Sequence, residues 1–166
     1  MRIGFSKFDI TPPPGIVLGG YAGYRPCGGV HDPLFCKAVI LEQAGVRFCL
    51  VALDLLCVDE GLYRRIARAV ADLAIDPKRL IVSAIHSHAA PQGVVCGEGP
   101  LTTVNCNPQE NTPEFLAYME TVVSQAVSAC RVAAENLEPF LVRAVKGPTP
   151  AVGSERHTGA MPGGAT

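Results

Sequence analysis

The alternation of apolar and polar positions divides the chain into short strands and two longer helical stretches. Residues 2–10 carry Ile3, Phe5 and Phe8 in an imperfect alternation that predicts a strand. Thr11-Pro12-Pro13-Pro14-Gly15 stops it, because proline donates no ladder hydrogen bond. From there to Pro33 the chain is rich in Gly, Pro and Tyr and reads as one long loop, of a length that in compact domains is usually functional. Residues 34–42 and 46–56 predict two strands joined by a short hairpin turn at Gln43-Ala44-Gly45. The second strand contains Phe48-Cys49-Leu50-Val51-Ala52-Leu53, a continuous apolar run that predicts burial on both faces.

Helical spacing follows. Over residues 59–74, Leu62, Ile66, Val70 and Leu73 fall on one stripe, with Asp59 placed to cap the start and Asp76-Pro77 to break the end. Residues 79–85 predict another buried strand. A loop over residues 89–111 leads to Thr112-Pro113, which opens a long helix with Pro in the first turn. Phe115, Met119, Val122, Ala126, Cys130, Ala133 and Leu137 supply its apolar stripe. Residues 140–145 predict a final strand, and residues 147–166 form an irregular tail without periodicity. The order β, ββ, α, β, α, β predicts an α/β fold: a layered mixed sheet with helices packed on it. A strand pair joined through a helix should be parallel.

Composition narrows the function classes. Of 166 residues, 48% are hydrophobic and 17% charged, which excludes global disorder. A formal net charge of −1 gives no electrostatic footprint for nucleic acid. No run of about 18 apolar residues predicts a membrane span. The first residues lack the apolar core of a secretory signal, so the chain reads as cytoplasmic. The seven cysteines are odd in number, contain no CxxC pair, and cannot all be paired internally. Cys49 and Cys57 lie in apolar runs, as small core residues do. Cys96 and Cys106 flank one loop and could pair under oxidising conditions.

The strongest chemical signal is His86-Ser87-His88 at the end of the last buried strand before the long helix. Residues i and i+2 of a strand face the same way, so both imidazoles are expected to converge beyond the sheet edge. Ligands of α/β sheets gather at carboxyl ends of strands, and neutral imidazole is a favoured zinc donor. The competing reading is two polar residues in a surface turn. Asp54 ends the neighbouring strand, where it either reaches the same site, as a metal ligand or a support for a histidine, or caps the following loop. His31-Asp32 adds a site histidine, lines a substrate pocket or forms a turn before Pro33, and the turn is the simpler reading. Arg156 and His157 lie in the tail, where Arg156 would suit an anionic intermediate or a substrate carboxylate. Arg64, Arg65 and Arg68 read as solvated charge on a helix face. Gly19-Gly20-Tyr21-Ala22-Gly23-Tyr24 lacks the phosphate-loop pattern, and no Gly-x-Ser-x-Gly elbow is present. A nucleophilic cysteine at Cys57 or Cys96 is a weak alternative, since nothing in the sequence sets either beside His86.

Several segments together resemble the N-terminal part of the neutral/alkaline, non-lysosomal ceramidase family. They are Phe8-Asp9-Ile10-Thr11-Pro12, Gly20-Tyr21-Ala22, Gly29-Val30-His31-Asp32-Pro33-Leu34, Leu53-Asp54 and Ser83-Ala84-Ile85-His86-Ser87-His88. The last is the most specific, the family's motif there reading roughly Thr-His-Thr-His-Ser-Gly-Pro. The resemblance implies a zinc amidohydrolase that cleaves the N-acyl bond of ceramide or of a related small-molecule or lipid amide. It implies that His86 binds Zn2+ and that His88 lies close to the reacting carbonyl. It also implies a downstream site arginine, for which Arg156 is the best match, although Glu155 stands where the family has Asn. Ser87 replaces Thr, and Ala89-Ala90-Pro91 replaces Ser-Gly-Pro, which bears on substrate identity more than on metal binding. The family's other zinc ligands, a second His, a Glu and a Tyr, come from further along its chains. Residues 1–166 therefore read as a single truncated N-terminal domain, with the missing C-terminal portion of the same protein as its partner and an incomplete site. The rival function is a non-catalytic binding or interaction domain that keeps the fold.

Overall fold

A computed structural model describes residues 1–21, 25–95 and 108–147. Five strands form one mixed sheet: β1 (Arg2–Asp9), β2 (Phe35–Gln43), β3 (Val46–Leu53), β4 (Leu80–Ala84) and β5 (Glu138–Pro139), in the order β4-β3-β2-β1-β5. The expected hairpin joins β2 and β3, in register from Cys36↔Leu53 to Gln43↔Val46. The pair linked through a helix, β3 and β4, is parallel, and the other pairs are antiparallel. Helix α1 (Glu60–Ala69) makes that connection, and α2 (Pro113–Glu135) lies across β1 and β2.

Local signals set the helix ends. Asp59 accepts a hydrogen bond from the Leu62 amide at 2.7 Å, and Thr112 accepts one from the Phe115 amide at 3.2 Å, each satisfying an otherwise unpaired N–H of a first turn. Helix α1 stops at Ala69, earlier than its apolar stripe predicts. A 3₁₀ turn over Ala71–Leu73 follows, ended by Ala74 in the left-handed region. Arg64 and Arg65 do more than meet solvent: Arg64 pairs with Glu60, and Arg65 pairs with Glu120 to bridge the two helices.

The core lies between the sheet and the helices. Gly4, Ser6, Cys36, Ala38, Ile40, Cys49, Val51 and Leu53 face inward and are buried. Leu62 and Ile66 of α1 and Phe115, Met119, Val122 and Ala126 of α2 meet them. Polar groups drawn into this layer are paired. Ser6 donates to the Ala129 carbonyl at 2.6 Å, and Tyr118 donates to the Ile10 carbonyl at 2.7 Å.

Two strand expectations are corrected. The continuous apolar run of β3 is not buried on both faces: Cys49, Val51 and Leu53 are buried, whereas Phe48, Leu50 and Ala52 are half-buried. The outer face carries Phe5, Val39, Leu50 and Ile81 in one cross-strand row, with Phe5 59% and Ile81 47% exposed. Residues 140–145 form no strand. Beyond Pro139, which pairs with Arg2, the Phe140 amide still donates to the Met1 carbonyl at 3.4 Å, but the chain then leaves the sheet and Leu141 is 99% exposed.

Candidate active site

The motif histidines sit at a turn rather than on a strand. Strand β4 ends at Ala84, and the chain then tracks the end of β3. The Ile85 amide donates to the Leu53 carbonyl at 3.1 Å, and the amides of His86 and Ser87 both donate to the Leu55 carbonyl, at 3.1 and 3.2 Å. His86 has φ 66°, a left-handed conformation uncommon outside glycine. The i, i+2 rule of an extended strand therefore does not bring the rings together. The turn does, with centroids of His86 and His88 5.1 Å apart and planes at 73°. Ser87 closes the turn, its hydroxyl accepting from the Ala89 amide at 3.2 Å.

The backbone also sets which nitrogen of His86 is available. Its Nδ1 lies 2.9 Å from the Leu56 carbonyl oxygen. A carbonyl only accepts, so Nδ1 carries the hydrogen and the neutral ring keeps its lone pair on Nε2. This is the arrangement by which a backbone carbonyl orients a metal-ligating histidine. His86 as a residue is exposed, and Nε2 is the ring nitrogen left for a ligand.

His88 is held from the Gly-rich loop. Tyr21 packs edge-on against it, with ring centroids 5.1 Å apart at 80°, and the Arg25 guanidinium stands 4.5 Å over the Tyr21 ring. Gly20, at φ 90°, lies so close that a Cβ there would stand 2.7 Å from the His88 ring. The loop itself is anchored by the Gly19 amide, which donates to the Ala90 carbonyl at 2.9 Å. Tyr21 is the site neighbour that sequence reasoning missed. Its membership in a Gly-rich loop was visible, but not its contact with a residue 67 positions away.

The other candidates are placed unequally. Asp54 is buried, and its carboxylate accepts from the Phe35 amide at 2.9 Å and from Lys37 Nζ at 2.8 and 3.1 Å. It ties the start of β2 to the end of β3 and hydrogen-bonds neither histidine. It does not cap the loop before α1, the role that falls to Asp59. His31 pairs with Asp32 at 2.7 Å, its side chain 97% exposed. It lines a groove that also takes in Thr11, Leu34, Ser87 and Ala89, which sets the first loop beside the motif turn. Cys57 contacts Gln92 at 3.5 Å, and burial pushes its thiol up, which argues against an ionised nucleophile there. Gln92 in turn donates to the buried Glu110 at 2.7 Å. Arg156, His157, Cys96 and Cys106 lie outside the described residues. Among the described residues no three His, Cys, Asp or Glu side chains gather as a metal site. The donor set among the described residues thus fits part of a zinc coordination sphere, one imidazole nitrogen of His86 with a second imidazole beside it.

A family model for the N-terminal part of neutral/alkaline non-lysosomal ceramidase matches residues 1–156. The chain belongs to the neutral/alkaline non-lysosomal ceramidase family. Comparison of the sequence with curated proteins gave no match. Among solved structures, the neutral ceramidase of Pseudomonas aeruginosa is similar, with a TM-score of 0.64 and 23% identity. A ceramidase complexed with C2 is similar at a TM-score of 0.60 and 23% identity. Each match covers 83% of this chain and 22% of the solved ceramidase chain, so the present chain spans about a fifth of their length. At this identity the ceramidase structures establish the shared fold of the sheet and its helices. No helix among the described residues of this ceramidase-family chain is long and apolar enough to cross a membrane.

Proposed function

We propose that this chain contributes part of the active site of a zinc-dependent hydrolase of the neutral ceramidase type, which cleaves the N-acyl bond of ceramide or a related lipid amide. The observation that carries the reading is the held imidazole of His86, its Nδ1 fixed by the Leu56 carbonyl and its Nε2 open at the carboxyl end of the sheet. Zinc, when bound, polarises a carbonyl and lowers the pKa of water. His86 contributes one ligand nitrogen. His88, kept in place by Tyr21 and Gly20, faces the substrate and donates a hydrogen bond or a proton at the amide oxygen or leaving nitrogen. Arg156 adds a positive charge for the oxyanion. The remaining ligands come from further polypeptide of the same protein, which also covers the outer sheet face that leaves Phe5 and Ile81 half exposed.

Zinc content and amidase activity, measured on this chain and on the full-length protein, test the reading. The full-length protein is expected to hold zinc and hydrolyse a fluorescent ceramide, while the 166-residue chain binds zinc weakly and turns over none. Full activity in the short chain would overturn the divided site. A second reading is a non-catalytic binding or interaction domain that keeps the fold. His86→Ala in the full-length protein separates the two: an enzyme loses zinc and turnover, whereas a binding domain keeps its lipid affinity.

A further inference from the structure

Three elements deliver cysteines into one layer between the sheet and α2: Cys36 from β2, Cys49 from β3 and Cys130 from α2, all fully buried. Two of them touch. The sulfur atoms of Cys49 and Cys130 are 3.7 Å apart, although 81 residues separate them in the chain. Among the described residues no other two sulfurs make such a contact. Cys49 is fixed by its place opposite Ile40 and Leu80 in the ladder, and Cys130 by the buried face of α2. The sulfurs therefore meet between two packed layers rather than at the tips of mobile loops. This pair takes no part in the motif site.

We propose that Cys49 and Cys130 are a disulfide-forming pair, joined across the interior by a small-molecule disulfide such as oxidised glutathione. The thiolate of one cysteine attacks a glutathione sulfur, forming a mixed disulfide and releasing one glutathione thiolate. The second cysteine, as its thiolate, attacks the protein sulfur of that mixed disulfide and expels the other glutathione. The two protons lost by the cysteines end on the two released thiols, and the protein's two electrons reduce the reagent. Either cysteine can make the first attack, because either sulfur of the pair can donate to the other. Closing the bond needs the sulfurs to approach from 3.7 Å to about 2 Å. Both thiols are sealed from solvent, so exchange is fastest while the chain folds or when α2 lifts from the sheet. Once made, the link joins β3, whose end holds His86 through the Leu55 and Leu56 carbonyls, to the helix that covers the sheet.

The test uses the whole chain, refolded from denaturant with reduced and oxidised glutathione, then alkylated and digested without reduction. Mass spectrometry is expected to find a Cys49–Cys130 linked peptide, lighter by two hydrogens than the separate thiol peptides, with Cys36 alkylated. The linked protein should melt roughly 5–10 °C above the reduced form, a shift abolished by reductant. Cys36→Ser should keep the link, and Cys130→Ser should lose it. Recovery of folded protein with Cys49 and Cys130 both alkylated would overturn the proposal. So would a dominant link through Cys36, or a linked form that melts below the reduced one.

Discussion

Replacing His86 separates its backbone role from its side-chain role, because the two pull stability in opposite directions. The residue sits at φ 66°, where a residue with a Cβ is destabilised by about 1–2 kcal/mol relative to glycine. Its ring makes one hydrogen bond to the Leu56 carbonyl, worth about 1 kcal/mol net. His86→Ala removes that bond and retains the strained turn, so it should lower stability by about 1 kcal/mol. His86→Gly removes the same bond but relieves the strain, so it should be nearly neutral and about 1 kcal/mol more stable than His86→Ala. Urea unfolding monitored by circular dichroism resolves a difference of that size. Zinc supplies the second axis. At a concentration a hundredfold above its Kd, zinc should stabilise the wild type by about 2.7 kcal/mol, and neither variant should gain. If His86→Gly is as destabilising as His86→Ala, the turn is not the strained element inferred here. A zinc-dependent gain that survives in both variants would remove His86 from the ligand set.

Three further outcomes follow from other parts of the molecule. A Cβ at Gly4 would stand 1.7 Å from the Ala133 carbonyl oxygen, so Gly4→Ala must push α2 from β1 and should cost about 2–4 kcal/mol in chemical unfolding; a neutral result would contradict the close strand–helix contact. Asp54→Ala leaves the Phe35 amide unpaired and Lys37 without its carboxylate. It should destabilise by about 2–3 kcal/mol, whether or not zinc is present, and a loss appearing only with zinc would return Asp54 to the metal site. Burial pushes the Cys36 thiol up to about 12 from its ordinary value of about 9. Between these values the unfolded chain has lost the proton and the native one has not, so stability is intact below pH 9 and falls as pH rises towards 12. Cys36→Ala should flatten that alkaline limb of a stability–pH curve, and an unchanged limb would refute the assignment.

Short-range signals were readable without the fold. Asp59 and Thr112 cap the helices that their spacing implies, because a cap bonds an amide three residues away. The hairpin at Ala44-Gly45 and the end of β1 at the proline run were equally local. The motif His86-Ser87-His88 was legible for the same reason, as a run of chemistry-bearing residues after an apolar strand.

What the sequence by itself determined, then, was the kinds of elements, their order and the location of the histidine pair, since each depends on neighbours within a few positions. The tertiary structure alone decided where those elements meet. It turned an apolar strand into one with a buried inner face and a half-buried outer face, and it put the final strand at Glu138–Pro139, ahead of the expected residues 140–145. It bent the chain at His86, aimed that ring by the Leu56 carbonyl and brought Tyr21 against His88. It took Asp54 away to Phe35 and Lys37. These outcomes depend on pairings across 17 to 137 residues, and only the packed strand order decides which distant groups come into contact.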